Sequence, residues 1–234
     1  MKRRSLLVSA AVALTGVPAR AAESAPVLVE LFTSQGCNSC PRADAALARL
    51  AARDDVLPLA YHVTYWDRLG WRDTLGDASF DARQRWYGGL LGTGSYTPQA
   101  VVAGEIDLVG SDPRLAQAID LAGTNRMPAR IEVAQDTTAE LPELALDGEV
   151  RLTAVAFERL RRVRIERGEN AGAEIDYVNA VRALADLGAW DGAARRIRLG
   201  SLAAGDRGLA LIAQDATSGR IVALGSSRPD TPSK

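Results

Sequence analysis

Val27-Leu28-Val29-Glu30-Leu31-Phe32-Thr33-Ser34-Gln35-Gly36-Cys37-Asn38-Ser39-Cys40-Pro41 is the stretch whose reading decides the architecture. Val27 to Phe32 is nearly all apolar and rich in strand formers, so it reads as a buried strand. Thr33 to Gly36 is a turn. From Pro41 onward Ala43, Leu47, Leu50 and Ala51 recur at helical spacing, and a proline is tolerated in a first helical turn. The cysteines thus fall between the end of a buried strand and the start of a helix. Free N–H groups and the helix dipole favour an anion there, which lowers the pKa of the first thiol. A thiolate at Cys37 can attack a disulfide, and Cys40 can resolve the mixed intermediate.

These are the only two cysteines among 234 residues. A structural disulfide is the simpler alternative, but so short a loop stabilises by only about 2 kcal/mol, against about 3 for fifteen residues. With 47% hydrophobic residues the chain can build a sizeable core without such a staple. The N-terminus bears on compartment. Lys2, Arg3 and Arg4 precede a short apolar run, Leu6 to Val17, and Ala19-Arg20-Ala21 offers small residues for cleavage. Residues 1–22 are therefore expected to be a signal peptide cleaved near Ala21/Ala22, by the general or the twin-arginine route, giving a periplasmic or secreted protein. With Lys2, Arg3, Arg4 and Arg20 removed from 28 basic residues, the 29 acids prevail by about five, which argues against nucleic acid as partner. No second apolar run is long enough for a membrane helix.

The rest of the first half continues the pattern. Val56 to Val63 reads as a strand, Ser79 to Leu90 as a helix, and Ala100 to Ala103 and Ile106 to Val109 as strands. Asp112 to Ala122 reads as a closing helix. This order resembles the thioredoxin fold. The resemblance implies a cis proline before the third strand, facing the cysteines, and Thr97-Pro98 occupies that point. The expected fold class is α/β: a thioredoxin-like domain over residues 26–126, then a smaller β-rich domain.

Two further residues are candidates for tuning the thiols. His62, the only histidine, lies near the carboxyl end of the second strand, where functional groups of parallel strands gather; it is either a proton-handling group or a structural one. Glu30 is an acid within a central strand. It either lies beneath the thiols and exchanges a proton with Cys40, or forms a salt bridge at the strand's rim. Trp71 is expected to pin a loop, while Trp66 is open between packing and lining a peptide groove.

Val29-Glu30-Leu31-Phe32-Thr33-Ser34-Gln35-Gly36-Cys37, Cys40-Pro41, Asp44, His62-Val63, Tyr65-Trp66-Asp67, Leu69-Gly70-Trp71, Arg83-Gln84 and Tyr96-Thr97-Pro98-Gln99 together resemble a family of bacterial secreted thioredoxin-like proteins catalogued as a domain of unknown function. The chain departs from it at Thr64, where the family usually carries an acid.

Beyond Met127-Pro128 short alternating runs replace helical periodicity: Ala129 to Ala134, Glu149 to Phe157, Arg162 to Arg167, Glu174 to Leu184, Ala194 to Leu199, Leu209 to Gln214 and Arg220 to Leu224. Glu174 to Leu184 could also be helical. A sandwich-like β domain over 127–226 is expected, then a flexible tail over 227–234. Gly168-Glu169-Asn170, Tyr177, Asn179 and Arg182 also resemble the family's second half. Turn and cross-strand bonding would account for Asn170 and Asn179, and the domain is expected to be a docking surface.

The leading functional expectation is a thiol–disulfide oxidoreductase acting on exported proteins or small thiols with an unidentified redox partner. Cys37 would be the nucleophile and Cys40 the resolving thiol, with Pro98 and the Thr97 backbone positioning substrate and no cofactor beyond the Cys37–Cys40 disulfide. One alternative is metal handling, copper(I) or zinc on Cys37, Cys40 and His62. Another is a non-catalytic binding module with a static disulfide.

Overall fold

The computed structural model describes residues 25–124, 128–202 and 207–227; the expected signal peptide, 1–22, and the chain beyond Ser227 lie outside the described residues. The first half forms β1 (Val27–Thr33), α1 (Cys40–Leu50), β2 (Val56–His62), α2 (Ala78–Leu91), β3 (Gln99–Val102), β4 (Ile106–Val109) and α3 (Leu115–Thr124). β1 and β2 run parallel with α1 between them, while β3 pairs antiparallel with β1 and β4 with β3. Side chains alternate across a strand, and both faces of β1 are covered. Val27, Val29 and Leu31 pack with Ala43 and Leu47 of α1 and Ile119 of α3. Leu28 and Phe32 pack on the other face with Phe80 and Tyr87 of α2.

The second half contains β5 (Ala129–Arg130), β6 (Glu132–Val133), β7 (Thr138–Leu141), β8 (Val150–Arg164), β9 (Glu174–Trp190), β10 (Arg195–Arg198), β11 (Gly208–Asp215) and β12 (Ile221–Ser227). Glu149 to Phe157 and Arg162 to Arg167, expected as two strands, are largely one. Between them Arg159, Leu160 and Arg161 are exposed where β8 has β9 as its neighbour and β11 has ended, so the two arginines interrupt the apolar alternation that marks the strand. The segment left open between strand and helix is β9. Register shifts in its pairing with β8, at Leu152/Thr153 and Ala156/Phe157, break the alternation on which a strand reading depends. β7 carried no expectation, and Ser227, expected in the tail, still belongs to β12.

The chain is mixed α/β, but the second half is not a sandwich set apart from the first. A nine-stranded curled sheet of order β4-β3-β1-β2-β9-β8-β11-β12-β5 runs through both. β9 meets β2 in parallel at Ala180 and Ala60, and Val155, Phe157, Val181, Ala210 and Ile212 share one core with Phe32, Tyr61, Phe80 and Tyr87. A second layer, the small sheet β10-β7-β6, covers the far face through Ala139, Leu141, Leu152, Ala154 and Leu211, so two β layers do form there. Alternation in one strand reports that a face is buried, not which edge the strand joins.

The junction has a local cause. Asn179 adopts a left-handed conformation, φ 49°, which asparagine tolerates better than most residues. Its amide then donates to the Pro58 carbonyl of β2 at 2.8 Å. This is the cross-strand bonding expected for Asn179, and it runs between the two halves of the chain.

Candidate functional site

Cys37 and Cys40 form a disulfide where β1 has ended and α1 begins, and both are buried, at 1% and 0% exposure. Ser39 precedes the helix without capping it; its hydroxyl lies 3.3 Å from Cys37 Sγ instead. The turn before Cys37 is held at several points. The Gln35 amide donates to Asp73 Oδ2 at 2.8 Å, and Gln35 Oε1 accepts from Trp71 Nε1 at 2.8 Å. Trp71 thus ties its own loop to the cysteine turn by a hydrogen bond as well as packing against the core.

The Thr97–Pro98 peptide is cis. Trp66 connects it to the cysteine turn: its Nε1 donates to Thr97 Oγ1 at 2.8 Å, and a Cβ on Gly36 would lie 3.1 Å from Trp66 Cβ. Gly110, whose amide donates to the Pro98 carbonyl, is crowded: a Cβ there would meet Leu31 Cδ1 at 2.5 Å and Ala43 at 3.0 Å, with Pro98 in ordinary contact at 3.5 Å. Pro98 and α1 therefore converge on Gly110.

Beneath α1 lies a buried polar group. His62, at the end of β2 and fully buried, pairs its Nδ1 with Asp73 Oδ2 at 2.9 Å. Burial by itself would raise the Asp73 carboxyl. The charge His62 carries when protonated, its hydrogen bond, and the amides of Gln35 and Leu75 outweigh burial and hold Asp73 below its ordinary value. Asp44, one turn beyond Cys40, accepts from Thr33 Oγ1 at 2.8 Å. Burial pushes Asp44 up to about 7 and Asp73 adds to the rise, while His62 and the Thr33 bond oppose it. Asp44 Oδ2, His62 Nε2 and the Tyr177 hydroxyl of β9 are buried without a protein hydrogen-bond partner. The Tyr177 ring stands edge-on to His62 with centroids 4.6 Å apart.

Glu30 is elsewhere. It shares the face of Leu28 and Phe32, away from α1, so the expected position beneath the thiols is corrected. Arg83 of α2 donates to it through Nε at 2.6 Å and Nη2 at 2.9 Å, and Tyr87 donates through its hydroxyl. Arg83 Nη2 also donates to Gln214 of β11 at 3.2 Å. Glu30 forms a salt bridge, the other expectation, but in the core between sheet and α2 and not at the strand's rim. Among the described residues no three His, Cys, Asp or Glu side chains are grouped to hold a metal ion, so Cys37, Cys40 and His62 do not form the ligand set considered from sequence.

The loop between β8 and β9 returns to the cysteines. Asn170 Nδ2 donates to the carbonyls of Gln35 and Cys37, both at 2.9 Å, and Glu169 Oε2 accepts from the Asn38 amide at 3.2 Å. Asn170 therefore binds the cysteine turn as well as lying in a turn of its own. The sequence assigns no role to Asp44, Asp73, Gln35, Tyr177 or Glu169, and for Asn170 it implies only turn and cross-strand bonding. Asp44 had a signal, being an acid four residues after Cys40 on the side of α1 that carries Leu47. Glu169 and Asn170 are marked only by the family resemblance of Gly168-Glu169-Asn170, and nothing local ties them to the cysteine turn.

The family described as "Protein of unknown function (DUF1223)" matches residues 28–214. A crystal structure of a protein from Agrobacterium tumefaciens is similar at 31% identity and a TM-score of 0.73, over 91% of this chain and 98% of that one. HBP35 of Porphyromonas gingivalis shares the fold at 17% identity and a TM-score of 0.58, over 90% of this chain and 79% of that one. No curated protein matches the chain.

Proposed function

We propose that this chain, which belongs to the DUF1223 family of proteins of unknown function, is an exported thiol–disulfide oxidoreductase built on a thioredoxin-like unit. The observation that carries the reading is a disulfide at the junction of strand and helix with a buried, protonatable carboxyl one turn behind it. The strand order β4-β3-β1-β2 and the proline before β3 support it, and the basic and apolar leader supports export.

In the reductive direction, Cys37 as thiolate attacks one sulfur of a substrate disulfide, forming a mixed disulfide and releasing the other sulfur as thiolate. Cys40 passes its proton to Asp44 and attacks Cys37 Sγ, which frees the second substrate thiolate and closes Cys37–Cys40. Solvent protonates the two released thiolates. The reverse sequence oxidises a substrate dithiol, and relative potentials set the direction. Pro98 and the Thr97 backbone would position the substrate. His62 and Asp73 are assigned to holding the cysteine turn and the charge near Asp44.

One observation favours a second reading, a binding module with a static disulfide: neither cysteine is exposed. Equilibrating the protein with glutathione and assaying insulin reduction decides between them. A reversible couple with turnover, lost in Cys37→Ser and arrested as mixed disulfide in Cys40→Ser, supports the oxidoreductase. A disulfide that resists exchange while the protein stays folded supports the static module.

A further inference from the structure

The β8–β9 loop touches the cysteine turn at the groups that govern a thiolate at Cys37. In an ordinary strand–cysteine–helix junction the first free amides of the helix point at the sulfur and stabilise its anion. Here the Asn38 amide, next to Cys37 in the chain, is taken by Glu169 Oε2 at 3.2 Å. Cys37 Sγ has the Ser39 hydroxyl at 3.3 Å. Asn170 clamps the same turn through the Gln35 and Cys37 carbonyls, so Glu169 is delivered by an anchored loop and not by a wandering side chain. Gly168 packs close to Trp71, which holds Gln35 from the other side.

We infer that Glu169, anchored by Asn170, is a positioning residue that disfavours the Cys37 thiolate and thereby biases the Cys37–Cys40 couple toward its disulfide. The inference rests on the oxidoreductase reading and names how the second half of the chain regulates that site. Its carboxylate acts in two ways. It occupies an amide that the sulfur anion would use, and it sets a like charge beside that anion. A dithiol whose nucleophilic member is a poor thiolate is the less stable partner of its disulfide, so the couple is more reducing than a bare helix terminus would make it. Other charged groups close to the cysteine turn are Asp73, at the Gln35 backbone amide, Asp44 and Arg42 on α1, and His62 paired with Asp73. All of them are retained in the variants below.

The test equilibrates intact wild type, Glu169→Gln, Glu169→Lys and Asn170→Ala with glutathione, and titrates the Cys37 thiolate by its ultraviolet absorbance. Glu169 is exposed, so its variants keep the fold, which thermal denaturation verifies. Glu169→Gln is expected to shift the equilibrium about threefold to tenfold toward the dithiol and to lower the Cys37 pKa, at the scale of one charge near a helix terminus. Glu169→Lys should shift both further in the same direction, and Asn170→Ala should reproduce part of the effect. A merely structural loop would move thermal stability and leave thiolate absorbance and equilibrium where they were. Unchanged values in both Glu169 variants, with a wild type that exchanges normally, overturn this inference and leave the oxidoreductase reading standing. A wild-type disulfide that does not exchange overturns both.

Discussion

Asp44 follows Cys40 by one turn of α1, and both are buried on the side of the helix that faces the sheet. A carboxyl pushed up to about 7 one helical turn from Cys40 can hold a proton near neutral pH and release it just above. The sign of its effect on stability follows from linkage. The unfolded chain releases this proton near pH 3.8 and the folded chain near 7, so the folded state binds more protons across that window. Stability therefore falls as pH rises from about 4 to 7, by an amount on the order of 4 kcal/mol if the whole shift is expressed.

Asp44→Asn removes that burden. The variant is expected to be more stable than wild type at pH 8, by about 2 kcal/mol after allowing for an imperfect amide fit, and to lose the advantage near pH 4. Urea denaturation at the two pH values measures it. Insulin reduction should fall at least about tenfold, since the acceptor for the Cys40 proton is gone. An advantage that is the same at both pH values would show that Asp44 holds no proton.

The Glu30–Arg83 pair gives a separate stability prediction. Removing one partner of a buried, hydrogen-bonded ion pair leaves a charge stranded, so Arg83→Met should destabilise by about 3–5 kcal/mol. Combining it with Glu30→Gln should recover most of the loss. Neither change should move the glutathione equilibrium, because Glu30 lies across the sheet from α1. A shifted equilibrium in Glu30→Gln alone would return Glu30 to the redox site.

His62 and Asp73 set the acid limb. Asp73 is held below its ordinary value, so its contribution is present above the unfolded value of 3.8 and disappears as pH falls through the folded one. In His62→Ala the opposing burial is less offset and the folded value rises. The acid unfolding midpoint, followed by circular dichroism, should move to higher pH, with a loss of about 2–3 kcal/mol at neutral pH. An unmoved midpoint would mean that the Gln35 and Leu75 amides suffice.

Asn170→Ala removes two hydrogen bonds to the cysteine turn and should destabilise by about 1–3 kcal/mol. Its effect should be local. Amide hydrogen exchange should quicken at residues 36–38 and 168–171 and stay unchanged in β11 and β12. Quickening throughout would indicate that the loop contributes to global stability instead.

Residues 27 to 51 announced a strand, a turn, a cysteine pair and a helix, and each formed where it was expected. All of these depend on neighbours a few residues away: alternating burial, a proline in a first turn, apolar spacing near one helical repeat. The cis proline before β3 was legible only through the resemblance of the element order to the thioredoxin fold. Glu30 was legible only as an anomaly, because which side of β1 carries α1 depends on the whole sheet.

The amino-acid order by itself determined the local elements and placed the two sulfurs at a strand-to-helix junction. Tertiary structure alone decided that Arg83, 53 residues on, would neutralise Glu30, and that Asn170, 133 residues on, would grip Cys37. It also decided that β9 would join β2 and make one sheet of two halves. Such pairings are set by which surfaces remain uncovered once the elements have formed, and a single polar or apolar residue bears no mark of the distant one that will cover it.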